Sequence, residues 1–284
     1  MGSTLLRIGI LLCGLLGGLP ITTHAQMQEG DRAWALRAET SVEERARPDQ
    51  IETAIRAYRA TLESDGDSIA AAWKLLRAYH YAIDFTTLDE EGQEVHLDQA
   101  IALVETSLAR FDIGEANKAA TPSAAADQAR LYFWSAIAWG ARAQRVGLLT
   151  IVREGVATRM HDYAERALAL DPSVDRGGPL RLLSRLHATL PRVPFVSGWV
   201  DRDYALPLAE QAFALDPAHP GNRLVLALAL LEAPAQGGSD REAEAMDLLR
   251  GISDMPPRTE ALVEDLAVRR QAAEELSARV GPES

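Results

Sequence analysis

Apolar residues recur three and four positions apart along most of the chain, the spacing that lays a single stripe along a helix. Alanine and leucine supply most of them. No segment carries a convincing strand alternation of Val, Ile, Thr and Tyr bounded by hairpin turns. The pattern predicts an all-α protein with long helices over Ile69 to Ile83, Ala124 to Arg145 and Pro220 to Ala233. A final helix over about Thr259 to Arg279 has a charged face suited to capping a stack with a polar surface.

Two segments repeat closely. Tyr163-Ala-Glu-Arg-Ala-Leu-Ala-Leu-Asp-Pro172 aligns with Leu208-Ala-Glu-Gln-Ala-Phe-Ala-Leu-Asp-Pro217. In each, small residues (Ala164 and Ala167, Ala209 and Ala212) let a neighbouring helix approach, and Leu168 or Phe213 fills the space beside them. Pro172 and Pro217 cannot continue a helix and begin the link to the next one. Weaker copies run over Ile51 to Leu62, His96 to Leu108 and Arg241 to Leu249, the last stopping before Pro256-Pro257. This is the signature of a tetratricopeptide (TPR-like) α-solenoid of stacked antiparallel helix pairs. The two close copies lie 45 residues apart where a regular repeat has about 34. The surplus falls on Gly177 to Asp201, which reads as an extra short helix and a loop. Thr121-Pro122 and Ser239 with Glu242 read as helix starts. No internal linker divides the mature chain, so one continuous solenoid is expected, a curved rod with a usable inner wall.

The first 25 residues read differently. Arg7, the apolar stretch Ile8 to Leu19, the break at Pro20 and Thr23-His24-Ala25 form a secretion signal cleaved before Gln26. The expected domains are therefore a signal peptide over 1–25 and one helical domain over 26–284, located in the periplasm. Cys13 follows Leu12, where lipid attachment needs a small residue, so no lipid anchor is expected. Cys13 is also the sole cysteine. Its removal leaves the mature chain no disulfide, thiolate nucleophile or cysteine metal cage. The net charge of −12 argues against nucleic acid and anionic lipid as main partners.

Between Ala124 and Leu231 the chain resembles the T-component (TatT-like) family of TRAP transporters. The likeness rests on Ala-Leu-Ala-Leu-Asp-Pro172, Gly177-Gly178-Pro179-Leu-Arg181, Leu186-His187, Pro191, the second Ala-Leu-Asp-Pro217, and Asn222 before the Leu-Ala-Leu helix. The resemblance implies a periplasmic scaffold, trimeric, associated with a transporter's solute-binding protein and carrying a hydrophobic pore or groove. The chain departs from the family in lacking a lipid-attachment cysteine.

Charge is the most unusual local feature. From Arg130 to Arg202 there are eleven arginines and no lysine against six acids. These could face carboxylate ligands or an acidic partner, or pair with acids on neighbouring helices as a solvated face. Arg176-Gly177-Gly178-Pro179-Leu180-Arg181, with Arg185 one turn on, could offer backbone N–H groups to an anion; the same residues also suit a tight turn. Trp134 and Trp139, near Arg142 and Arg145, could line an amphiphilic groove, or could be core beside the close-contact residues Ala136, Gly140 and Ala143. The loop Phe195 to Trp199 is a candidate partner contact.

For catalysis and cofactors the chain offers little. His80, His96, His161, His187 and His219 lack zinc-helix spacing, and no nucleophile elbow, phosphate loop or nucleotide fingerprint occurs. The expectation is a non-enzymatic accessory protein without cofactor or metal, docking a solute-binding protein and holding an apolar or carboxylate ligand. The alternative is a general exported scaffold for envelope assembly without a small ligand.

Overall fold

The computed structural model describes residues 23–111, 121–194, 196–232 and 238–280. The leader through Thr22, Phe195 and Gly237 lie outside them, as does the side chain of Ser239 and with it the expected capping box. Among the described residues the regular elements are helices apart from one small hairpin. The first hairpin of helices is α1 (Thr23–Ala35) and α2 (Asp49–Ser64); the second is α3 (Ile69–Phe85) and α4 (Glu90–Phe111). The third is α5 (Pro122–Ala143) with α7 (Val156–Leu170), joined through the short α6 (Leu148–Glu154). The fourth is α8 (Gly178–Thr189) and α9 (Ala205–Leu215), and the fifth α10 (Pro220–Glu232) and α11 (Gly238–Asp254). Helix α12 (Leu262–Val280) packs on α10 and α11 and ends the stack.

Local chemistry explains the boundaries. Thr121 caps α5, its side chain accepting from the Ala124 N–H at 3.2 Å, with Pro122 at the first helical position. Ser68 caps α3 in the same way through Ala71. Helices α7 and α9 stop at Leu170 and Leu215, immediately ahead of the two Asp-Pro pairs. Ala164, Ala167, Ala209 and Ala212 are all fully buried, so the small residues of the repeat do face neighbouring helices. On α5, Ala136 is fully buried, and a side chain at Gly140 would come within 3.1 Å of Met160 on α7.

Three features depart from the expectation. The surplus in the 45-residue spacing is not an extra helix. α8 is the regular first helix of the fourth hairpin, and the insertion is the loop from 190 to 204 between its two helices. Its sequence looked irregular because a regular TPR turn is far shorter. A short antiparallel hairpin, β1 (Ser41–Val42) with β2 (Arg45–Ala46), turns through Glu43 at φ 56° and joins the first two helices. It is too brief to show a period-2 pattern. Finally, the rod does not stay open.

The two ends meet. Val263 of α12, fully buried, belongs to the same apolar cluster as Ala33 of α1, Ile51 of α2 and Leu76 of α3. Arg37, just beyond α1, places Nη2 2.6 Å from Glu264 Oε1 on α12 and also donates to the Glu260 carbonyl. Arg270 of α12 pairs with Glu44 of the β turn at 2.6 Å. The solenoid thus curls until its last helix closes against its first hairpin. The first helix of each pair faces inward.

Candidate functional site

Closure frames a half-open chamber of about 550 Å³ on the concave side. Its walls come from the ends of α1, from α3, α5, α8 and α10, and from α12 with the turn ahead of it. Trp34, Tyr81, Phe85 and Trp134 supply an aromatic side. Arg37, Arg77, Arg176, Arg181 and Arg258 bring five guanidinium groups, with Asp175, Glu260, Glu264, Asp265, His80 and His219 among them.

Four of those arginines are held by carboxylates. Arg37 pairs with Glu264, Arg181 with Asp175 at 2.6 Å, Arg258 with Asp265 at 2.6 Å, and Arg176 with Asp216 at 2.5 Å. The Asp265 bonds hold Arg258 firmly charged, raising its pKa, whereas burial lowers that of Arg181. Arg77 is different. Among the described residues no carboxylate stands within ion-pair distance of it, and its buried Nε has no hydrogen-bond partner in the protein. Its Cζ lies 3.8 Å from the ring centre of Trp34 and 4.9 Å from that of Trp73, and Arg37 also lies over Trp34 at 4.1 Å. Burial, followed by smaller effects that include the neighbouring Arg37 charge, pulls its pKa down to about 10.

His219, at the start of α10, accepts the Gly221 N–H on Nδ1 at 3.1 Å. A neutral ring accepting there carries its proton on Nε2. Burial first, then the charges of Arg181, Arg258 and Arg176, push its pKa down to about 2. Asn222, fully buried, ties this wall together. Its Nδ2 donates to the carbonyls of Ala212, Asp216 and Arg176, and its Oδ1 accepts from Arg181 at 2.7 Å.

The sequence-named residues divide between this chamber and other places. Trp134, Arg176 and Arg181 line it. Gly177 and Gly178 form the turn that delivers Arg176 and Arg181: Gly177 sits at φ 99°, and a side chain at Gly178 would come within 2.6 Å of the Phe133 ring. Arg181 folds back onto that turn, bonding the carbonyls of Asp175 and Arg176. Trp139 is core, 3% exposed, with Arg159 over its ring at 4.7 Å. Arg142 pairs with Glu154 through two bonds of 3.1 Å, and that contact raises its pKa. Arg145 bonds Gln93 on a separate, open surface recess beside Arg45 and Asp84. Arg185 pairs with Glu232 at 2.9 Å.

Trp199 does not stand away from the solenoid. It stacks on His161 of α7 at 4.0 Å with 23° between the rings, and His187 meets it edge-on. The loop carrying it is fastened by Thr158 to the Val196 carbonyl, by Ser197 to the Pro191 carbonyl and by the Asp201 N–H to His187 Nδ1.

Trp34, Arg37 and Arg77 went unnamed from sequence. Trp34 and Arg37 precede the first recognisable repeat, and Arg77 lies inside a helix that reads as apolar core. The usable signal was Trp73 and Arg77 one turn apart on the same helix.

No protein-family model matches the chain, and no curated protein is similar to it by sequence. Its fold is similar to that of TTC0263, a thermophilic TPR protein in Thermus thermophilus. The TM-score is 0.54 at 16% identity, over 90% of this chain and 99% of that one. The MamA protein aligns at a TM-score of 0.40 and 16% identity, over 90% of this chain and 96% of that one. Yeast Tom70 aligns at a TM-score of 0.26 and 14% identity, over 98% of this chain and 69% of that one. The first comparison establishes a TPR α-solenoid; identities this low concern the fold alone, and the other two scores carry no argument.

Proposed function

We propose that this chain is an exported TPR-like accessory protein that binds rather than catalyses, docking a periplasmic solute-binding protein and holding a small ligand in its concave chamber. The observation that carries the reading is the chamber itself. Six helices and the turn before the last of them bring arginines and aromatic rings to one half-open volume, and an ion pair spanning 227 residues of sequence stands in its wall. A volume of about 550 Å³ lies within the size range of small-molecule sites.

The partner and the location come from sequence. Residues 1–25 read as a cleaved leader, and no helix among the described residues is long and apolar enough to cross a membrane. The residues from Ala124 to Leu231 that resemble TRAP T-components, Asn222 among them, support a solute-binding protein as the partner and a trimer as the assembly.

Three measurements test the proposal. N-terminal sequencing of the chain from a periplasmic fraction should begin at Gln26. Immobilised mature chain should retain a solute-binding protein from that fraction, identified by mass spectrometry. Sedimentation should give a trimer. Recovery only in the cytoplasm, or retention of no solute-binding protein, would overturn the reading.

A further inference from the structure

Resting on the reading of the chamber as a binding site, we infer that its occupant is a small amphiphilic monocarboxylate, with its carboxylate on Arg77 and its apolar body against Trp34, Phe85 and Trp134.

The charge pattern leads to this class. Of the five arginines around the chamber, four already face carboxylates at 2.5 to 2.6 Å. Arg77 alone has none among the described residues, and its Nε is a buried donor without a partner. Taking a cation out of water is costly unless an opposite charge meets it, and ring faces offset only part of that cost. A carboxylate supplies the missing counter-charge in the bidentate form that a guanidinium accepts best. The wall around His219 agrees. Burial and the charges of three arginines keep that imidazole neutral, so its Nε2–H is a donor inside a positive field.

Three more residues lining the chamber carry a buried side-chain atom without a hydrogen-bond partner: Tyr81 at its hydroxyl, Glu264 at Oε2 and His80 at Nδ1, the last 3.0 Å from the Asp84 carboxylate. Tyr81 is 1% exposed, so its hydroxyl has no access to bulk solvent. The hydroxyl can donate to an anion. Glu264 Oε2 accepts only, and its charge is already met by Arg37. A second negative group on the occupant would therefore face Glu264 with no free cation opposite it, which selects a single charge. The aromatic side then demands an apolar remainder. A purely hydrophobic occupant would leave the Arg77 charge without a carboxylate and the Tyr81 hydroxyl without an acceptor. In this the chamber differs from the hydrophobic pore that the family resemblance implies.

The test uses the folded mature chain and three related probes: phenylacetate, phenylacetamide and phenylmalonate, titrated by isothermal calorimetry. Phenylacetate should bind at least roughly tenfold more tightly than the neutral amide and than the dicarboxylate. In Arg77→Gln the preference for acid over amide should vanish while amide affinity stays the same. Arg185→Gln, outside the chamber, should leave the preference intact. Equal affinity for acid and amide in the native chain would overturn the inference even if Arg77→Gln failed to fold. So would no heat from any probe at millimolar concentration, or an unchanged preference in folded Arg77→Gln. Capture of the solute-binding protein is measured on the same preparation. A failure of the probes with capture retained removes the ligand assignment and leaves the docking role standing.

Discussion

Arg37 Nη2 lies 2.6 Å from Glu264 Oε1 across 227 residues of sequence, with side-chain exposures of 6% and 23%. The pair joins the first hairpin to the last helix in a setting largely withdrawn from water. Replacing Glu264 with Gln leaves the shape and removes the charge, so Arg37 becomes a buried cation supported only by carbonyls and the faces of neighbouring rings. The variant should lose about 3 kcal/mol in urea unfolding. Small-angle scattering should register a larger radius of gyration as α12 leaves the first hairpin. An unchanged unfolding midpoint would show that Val263 packing alone holds the ends.

Asn222→Ala removes a hub that satisfies three carbonyls and steadies Arg181. The cost should be roughly 3 kcal/mol, because buried carbonyls lose their donor with no water to replace it. Chemical denaturation measures it. A loss below about 1 kcal/mol would mean that the wall repacks.

Gly177→Ala should destabilise by about 1 to 2 kcal/mol, since φ is 99° and an added methyl would sit 3.5 Å from the Ala212 backbone. The thermal midpoint should fall accordingly. Gly155, also at positive φ but with open space around it, offers the comparison in which conformational strain acts alone.

His219 sets a pH dependence. Its folded pKa, pushed down to about 2, lies below the value near 6.5 of an unfolded chain. The unfolded state therefore takes up the proton first. Stability is full above about pH 6.5 and declines as pH falls below it, at up to about 1.4 kcal/mol per unit from this one group. His219→Asn should flatten the fall in urea midpoint between about pH 7 and 5. Matching slopes in the two proteins would assign the effect to other groups.

Much of the architecture was legible before the fold was known. Ala-Leu-Asp-Pro endings, Thr121-Pro122 and the apolar stripes mark helices by local rules of propensity, capping and periodicity, and local rules are what a single sequence displays. The chamber was only partly legible. Trp134, Arg176 and Arg181 could be named because they sit in unusual local contexts, a tryptophan beside small residues and arginines flanking two glycines. Arg142, Arg145 and Arg185 carry the same kind of signal and end up paired on other faces, because the direction a side chain takes depends on superhelical curvature. Trp34, Arg37 and Glu264 acquire their meaning through closure, a relation between distant residues that no window along the chain contains.

The meeting of α12 with the first hairpin also limits how this molecule can vary. An open array of repeats tolerates gain or loss of a unit, since each unit touches only its neighbours. Here a duplicated or deleted helix pair would carry the last helix past Arg37 or leave it short, so the number of repeats is fixed by the circumference rather than by the length of a partner.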